Sequence, residues 1–149
     1  MVRALAAADI EAWATLRARL WPDADARTLE RECRSFADGY PLPNVTAVFL
    51  AEDEASISLG FLELSVRAFA DGCDSMPETH IEGLYVEPIA RRKGFGEALI
   101  RAAEKWAQDK GFIEIASDTE VENGASRRFH AACGFTEVEI AVRFRKALA

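Results

Sequence analysis

The segment that most constrains the fold is a basic, glycine-containing loop between an apolar strand-like run and an amphipathic helix. Residues 91–96 read Arg-Arg-Lys-Gly-Phe-Gly, and residues 82–88 before them read Glu-Gly-Leu-Tyr-Val-Glu-Pro. The helical run Glu97 to Lys110 follows directly. A strand, a tight loop and a helix in this order expose backbone N–H groups at a helix N-terminus, where the helix dipole favours negative charge. The order therefore predicts a phosphate site.

Two well-known phosphate loops do not match this segment. The Walker pattern of Gly, four residues and Gly-Lys-Ser/Thr is absent, and the dinucleotide fingerprint requires a third glycine where Leu99 stands. The remaining pattern is Arg-x-x-Gly-x-Gly. Gly94 and Gly96 let the backbone approach a ligand closely, and the basic residues before them add positive charge to an otherwise acidic chain.

Hydrophobic periodicity predicts one domain over residues 1–149 with the order β-α-α-β-β-β-α-β-α-β. Asp9 is the predicted N-cap of the first helix, which runs to Leu20. The remaining predicted helices are 28–37, 97–110 and 122–133, and the predicted strands are 1–5, 45–52, 57–68, 79–86, 112–117 and 136–146. A mixed α/β (α+β) sheet with helices on both faces would bury the apolar side of each element.

Composition excludes several classes of function. A net charge of −7 argues against a nucleic-acid partner, because a phosphate backbone requires a basic surface. The three cysteines, Cys33, Cys73 and Cys133, are scattered, and with only two histidines we expect neither a disulfide framework nor a metal site. The N-terminus lacks a signal-peptide pattern and no apolar run reaches membrane-spanning length, so we expect a cytoplasmic protein with no membrane partner.

The glycine loop, with its flanking strand and helix, resembles the acetyl-coenzyme A loop of the GCN5-related N-acetyltransferases (GNAT). The resemblance spans the chain, matches the predicted element order and is strongest from Glu82 to Phe135. It implies that the loop amides hold the pyrophosphate of coenzyme A, and that the preceding strand splays from its neighbour to pair with the pantetheine arm and the acetyl oxygen. The cofactor-binding residues implied are Leu84, Tyr85, Val86, Arg91, Arg92, Lys93, Gly94, Phe95, Gly96, Glu97 and Asn123.

A narrower resemblance rests on five motifs: Leu20-Trp21-Pro22, Asp71-Gly72-Cys73-Asp74-Ser75, Ile81-Glu82-Gly83, Ala116-Ser117-Asp118-Thr119 and His130 before Gly134-Phe135. Together they resemble the aminoglycoside 6′-N-acetyltransferases of Gram-negative bacteria. This implies acetyl-coenzyme A as cosubstrate, a cationic aminoglycoside as acceptor, and a homodimer to which the last strands contribute. The aminoglycoside-contacting residues implied are Trp21, Glu82, Asp118 and Glu139, with Phe69 bordering the sugar where relatives often carry Tyr. Asp118 would handle the amine proton.

His130 departs from the wider family, which tends to place a Tyr four residues before the Gly-Phe pair as the acid that protonates the thiolate. The narrower group shares the histidine. A histidine can donate a proton near neutral pH, whereas a lone helical histidine is more commonly structural, so the role of His130 stays open.

The carboxylates favour a cationic substrate. Glu82, Asp118 and Glu139 come from three predicted neighbouring strands, and together they would line a cleft that attracts ammonium groups. Three alternatives stay open: a GNAT enzyme for another amine (polyamine, small metabolite or peptide), a non-catalytic coenzyme A sensor, and an acidic interaction module that binds no cofactor.

Overall fold

A five-stranded mixed sheet organises the first 117 residues. The computed structural model describes residues 1–149, which divide into two compact units, 1–117 and 118–149. The first unit contains β1 (Val2–Ala4), α1 (Ile10–Leu20), α2 (Ala26–Ala37), β2 (Ala47–Glu52), β3 (Ser58–Arg67), β4 (Glu78–Val86), α3 (Phe95–Asp109) and β5 (Ile115–Ala116). The sheet order is β1-β2-β3-β4-β5; the first four strands are antiparallel and β5 is parallel to β4. The predicted mixed sheet is confirmed.

Side-chain alternation gives the sheet two apolar faces. Leu50 and Phe61 are cross-strand partners and pack with Trp13 of α1 and Cys33 of α2 in one buried cluster. Their neighbours along the strands point to the opposite side, because successive residues of a strand alternate faces. There α3 contacts β1 to β4 and buries the apolar side chains Leu99, Ile100 and Ala103. The helices therefore cover both faces of the sheet.

The first two helices differ in how their N-termini are capped. Asp25 caps α2 by accepting the Thr28 N–H at 3.2 Å. Asp9 stands at the N-cap of α1, but its carboxylate makes no cap bond to the helix. It accepts the Ala6 N–H at 2.7 Å and pairs with Arg3 at 2.6 Å. A tertiary ion pair has replaced the predicted cap, since a guanidinium is a stronger partner than a single amide.

The second unit, 118–149, contains one helix, α4 (Gly124–Ala132), capped by Asn123, which accepts the Ser126 N–H at 3.1 Å. The predicted strand at 136–146 is wrong for this chain: residues 136–149 carry no strand assignment. Strand-like alternation is present, but a strand also requires a partner whose N–H and C=O groups complete the ladder. Four alternate apolar side chains are instead exposed, namely Val138, Ile140, Val142 and Phe144.

None of the helices is both long and apolar enough to span a membrane. The described side chains also include no cluster of His, Cys, Asp and Glu that could hold a metal ion.

Candidate active site

The basic loop leads into the longest helix of the chain through a left-handed glycine. Gly94 is the N-cap of the 15-residue α3 with φ +87°, and a Cβ built there would meet no atom within 4 Å. Arg92 also has a positive φ, +61°. The first N–H groups of a helix have no acceptor within the helix. The loop therefore presents open backbone amides at the positive end of the α3 dipole, which is the geometry an anion requires.

The basic side chains of the loop are exposed, but they differ in their contacts. The Arg91 Nε donates to the Val86 carbonyl at 2.9 Å, and its guanidinium lies 5.8 Å from the centre of the Tyr85 ring. Arg91 therefore fastens the loop to the end of β4, whereas Arg92 and Lys93 make no hydrogen bond or ion pair of this kind. Phe95 and Gly96 are half-buried in the first turn of α3, where Glu97 pairs with Arg101.

Strand β4 separates from β5 at the level of the loop. Their parallel pairing ends at His80–Ala116, whereas the other edge of β4 stays paired with β3 as far as Gly60–Val86. Leu84, Tyr85 and Val86 thus have no strand partner on the β5 side. An extended ligand arm can pair with such an edge, and the loop amides at its end suit a pyrophosphate. The residues present fit coenzyme A, although their individual contacts with it stay predictions.

A pocket of about 230 Å³ lies beside the same strand, lined by Arg17, Trp21, Asn44, Val45, Glu63 and Glu82. It brings together two of the predicted substrate residues, Trp21 from the end of α1 and Glu82 from β4. Aromatic and carboxylate groups are the combination that an amino sugar requires, because one covers the ring and the other accepts hydrogen bonds from ammonium and hydroxyl groups.

Trp21 is held in a defined position. Its indole lies against the backbone of Gly83, so closely that a Cβ built on Gly83 would fall 2.9 Å from Cη2 of the indole. The ring meets Phe61 edge to face at 6.3 Å, and the Arg17 guanidinium lies 5.2 Å from its centre. Trp21 therefore forms both part of the core and a wall of the pocket.

Arg17 is the centre of a buried charge network beneath Trp21. Its Nε lies 2.6 Å from Glu63, and its Nη1 donates to Glu32 at 2.8 Å. The Trp13 indole N–H also donates to Glu63, at 2.9 Å. Burial raises the pKa of Glu63, and the Arg17 charge and the Trp13 hydrogen bond act in the opposite direction. Arg17 therefore pairs with two acids at once, and both Arg17 and Glu63 line the pocket.

The carboxylate of Glu82 is held in place by three hydrogen bonds. Its Oε1 accepts from the Ser65 hydroxyl at 2.5 Å and from the Arg67 Nε at 2.9 Å, while its Oε2 accepts from the Arg67 Nη2 at 2.9 Å. The side chain of Glu82 is 14% exposed. The predicted substrate acid is therefore a paired carboxylate rather than an isolated surface charge.

A second acid of β4 lies opposite the same arginine. Glu78 is the cross-strand partner of Arg67, is fully buried, and its carboxylate oxygens accept no hydrogen bond. Burial raises its pKa to about 7, opposed by the charge of Arg67. Near neutral pH this carboxyl group is therefore partly protonated, which weakens its competition with Glu82 for the guanidinium.

Phe69 lies just after β3 in the loop that precedes β4, and it is 64% exposed. Further along this loop, the Glu114 carboxylate accepts the N–H groups of Asp74 and Ser75 at 2.9 and 2.6 Å. The aromatic side chain is therefore accessible, as a residue bordering a substrate would need to be, and the loop beyond it is tied to the residue before β5.

The other predicted site residues belong to the second unit. Asp118 is mostly exposed, with an Arg143 Nη2 at 3.9 Å, and Glu139 is exposed in the segment without a strand. The oxygen of Asn123 is engaged as the cap of α4. His130 Nδ1 lies 2.8 Å from the Ser126 carbonyl, and its ring meets Phe135 edge to face. Contrary to the prediction, Glu139 therefore does not lie on a strand. A shared role of Glu82, Asp118 and Glu139 in substrate binding stays a prediction.

Four residues that shape the pocket were not identified from the sequence: Arg17, Glu63, Ser65 and Arg67. One signal was available for the first of them, since Trp13, Arg17 and Trp21 recur at four-residue spacing and so share a helix face. No comparable signal marks the others, because they meet their partners across strands whose register the sequence does not reveal.

The chain is similar to known acetyltransferases in both sequence and structure. Residues 9–135 match the model of the acetyltransferase (GNAT) family. An aminoglycoside N(6′)-acetyltransferase type 1 of Klebsiella aerogenes is 42% identical over 99% of this chain and 97% of its own length. Its counterpart in Stenotrophomonas maltophilia is 41% identical over 99% and 93%. The structure of AAC(6′)-Iy with a bisubstrate analogue, CoA-S-monomethyl-acetylneamine, superposes with a TM-score of 0.89 and 32% identity, covering 99% of this chain and 98% of that one.

Proposed function

The chain belongs to the acetyltransferase (GNAT) family, and from this premise we propose that it is an aminoglycoside 6′-N-acetyltransferase. The reaction transfers the acetyl group of acetyl-coenzyme A to the 6′-amino group of an aminoglycoside. The matched residues, 9–135, run through both compact units, which supports one acetyltransferase domain over residues 1–149.

One observation carries the proposal: the acceptor pocket and the open edge for the cofactor share strand β4. Glu82 lines the pocket, and Leu84 lies on the part of β4 that β5 leaves unpaired after His80. Two residues along a strand span about 7 Å. An amine held at Glu82 and a thioester held along 84–86 would therefore lie within reach of each other, and such proximity lowers the barrier to acyl transfer.

The proposed acetyl transfer requires few catalytic groups. The neutral amine nitrogen bonds to the acetyl carbon, the carbon–sulfur bond breaks, and the coenzyme A thiolate leaves with that electron pair. The nitrogen loses a proton, which we assign to the Asp118 carboxylate, directly or through water. Trp21, Phe69, Glu82 and Glu139 would orient the aminoglycoside, and the backbone of 91–97 would hold the pyrophosphate, with Asn123 against the cofactor.

The proposed enzyme is a homodimer joined through residues 136–146. Val138, Ile140, Val142 and Phe144 are 63%, 71%, 77% and 92% exposed, and they alternate as in a strand with one apolar face. A second copy would supply the missing ladder partner and cover these side chains. Light scattering should give twice the chain mass, and Ile140→Asp/Phe144→Asp should give the monomer. The enzyme would act in the cytoplasm, where acetyl-coenzyme A is available.

The deciding experiment is thiol release from acetyl-coenzyme A with tobramycin, spermidine or a small peptide offered separately. We expect release with tobramycin and a product acetylated at the 6′ nitrogen. Thiol release only with spermidine or the peptide would support an acetyltransferase of this family that acts on a different amine. Coenzyme A binding without release with any amine would favour a sensor, and the absence of binding would favour an interaction module.

A further inference from the structure

The contacts around Glu82 assign a role to a residue outside the predicted site. We propose that Arg67, assisted by Ser65, is a positioning and specificity residue, which holds the Glu82 carboxylate so that it accepts one directed hydrogen bond from the acceptor substrate. The inference rests on the proposed function, because it concerns how that acceptor is recognised.

The geometry supports orientation rather than simple charge balance. Nε of Arg67 donates to Oε1 of Glu82 and Nη2 donates to Oε2, both at 2.9 Å, while Nη2 also lies 2.8 Å from Oε1. Two donors that engage both oxygens in this fork define the plane of the carboxylate. The Ser65 hydroxyl donates to Oε1 at 2.5 Å. Ser65 is 2% exposed, so this donor is held in the sheet rather than in solvent.

The bond count limits what Glu82 can still accept. An ionised carboxylate offers about four acceptor positions, and Ser65 and Arg67 occupy three of them. The remaining position lies on Oε2, in a direction set by the fork. A carboxylate with one free acceptor position, held in one direction, favours a substrate whose ammonium or hydroxyl donor is fixed in place on a rigid sugar ring. A free carboxylate would attract any polycation, including a flexible linear polyamine.

The rest of the pocket carries little uncompensated charge. Glu63, the other acid in the lining, is paired with Arg17 at 2.6 Å. Glu78, the cross-strand partner of Arg67, is fully buried and makes no hydrogen bond to the guanidinium. Arg67 is therefore committed to Glu82, and recognition in this pocket depends on the direction of hydrogen bonds more than on net negative charge.

The test compares Arg67→Lys, Arg67→Gln and Ser65→Ala with the wild-type enzyme. Lysine keeps the charge but lacks the planar fork, so it separates orientation from electrostatics. Steady-state constants for tobramycin, spermidine and acetyl-coenzyme A are measured, together with tobramycin binding by calorimetry. Arg34→Gln is the matched control, because Arg34 makes a similar two-donor contact with Glu30 on the exposed face of α2.

We expect both Arg67 variants to lower kcat/KM for tobramycin by roughly 10- to 100-fold, the range for a lost hydrogen bond to a charged group. The preference for tobramycin over spermidine should fall, and KM for acetyl-coenzyme A should stay within about twofold, a shift that corresponds to well under 1 kcal/mol. Ser65→Ala, which keeps the fork, should show a smaller loss in the same direction.

Several results would overturn the inference. Wild-type kinetics in Arg67→Lys would mean that charge alone suffices. An equal rise in KM for tobramycin and acetyl-coenzyme A would indicate general damage to the fold. If Arg67→Gln does not fold, the kinetics of Arg67→Lys and Ser65→Ala test the role of Arg67. A wild-type protein that neither binds nor acetylates tobramycin would remove the proposed function as well, whereas an active wild type with unaffected variants would remove only the role of Arg67.

Discussion

The indole of Trp21 lies against the backbone of Gly83, and no side chain fits between them, since a Cβ on Gly83 would fall 2.9 Å from Cη2 of the ring. This contact joins the end of α1 to β4 one residue after Glu82. It explains why a glycine stands in a strand interior, where glycine usually weakens the sheet.

Gly83→Ala should displace Trp21 from the pocket wall. Forcing a methyl group into this contact should cost about 1–3 kcal/mol of unfolding free energy, and it should lower kcat/KM for the aminoglycoside by roughly 10- to 100-fold through misplacement of the wall. KM for acetyl-coenzyme A should change little. The double variant Gly83→Ala/Trp21→Phe should recover part of the stability, because the smaller ring relieves the clash. Strictly additive losses would argue against the contact.

Arg17→Met should be among the most destabilising substitutions in the chain. Arg17 and Glu63 are 7% and 2% exposed and lie 2.6 Å apart, so removing one partner leaves a buried acid without its countercharge, at a cost of about 3–5 kcal/mol. Arg34→Met, at an exposed pair on α2, should leave stability nearly unchanged, because solvent screens such a pair. Urea unfolding of the two variants provides the comparison, and similar midpoints would contradict the assigned role of the network.

Glu78→Gln should alter the pH dependence of stability. Burial raises the pKa of Glu78 from 4.5 to about 7, against the charge of Arg67 and together with the nearby acids Glu82 and Glu114, while His80 lies two residues along the same strand. The folded protein therefore holds this proton more tightly than the unfolded chain. The resulting stability is present below about pH 4.5 and is lost as pH rises through 7.

Glutamine cannot ionise, so the variant should be more stable than wild type at pH 8, by on the order of 1 kcal/mol, with little gain at pH 5. Thermal or urea unfolding across this range measures the difference. Glu54→Gln, at an exposed turn, serves as the control and should follow the wild-type curve. A constant offset at every pH would assign the effect to packing rather than to ionisation.

Asp118→Asn should reduce turnover strongly, by about 100-fold or more, because amide nitrogen and oxygen cannot accept the amine proton as a carboxylate does. Coenzyme A affinity should be nearly unchanged. Asp23→Asn, at an exposed acid of the loop after α1, controls for the loss of one negative charge. Unaltered turnover in Asp118→Asn would remove this residue from the mechanism.

Gly96→Trp should abolish cofactor binding by covering the amides at the start of α3. Lys105→Trp is the matched control, because Lys105 lies on the same helix with its side chain 76% exposed, away from the N-terminal turn. Calorimetry with coenzyme A compares the two. Retained affinity in Gly96→Trp would show that the loop is not the pyrophosphate site.

Features that depend on neighbouring residues could be predicted from the sequence. Apolar periodicity located every helix to within about two residues, and the Gly94 turn and its helix follow from local backbone chemistry. The family resemblance also followed from contiguous motifs, because the glycine loop is a local structure whose ligand chemistry is set by its own backbone.

Features that depend on contacts between distant residues became visible only in the folded chain. Register across β3 and β4 placed Ser65 and Arg67 on Glu82, and helix packing placed Arg17 between Trp21 and Glu63. Strand β5 is two residues rather than the predicted six, since its pairing ends where β4 turns away. Residues 136–146 have the pattern of a strand but no strand assignment. Alternating apolar residues indicate that a segment can form a strand. Whether it does depends on a neighbouring strand that completes the hydrogen-bond ladder.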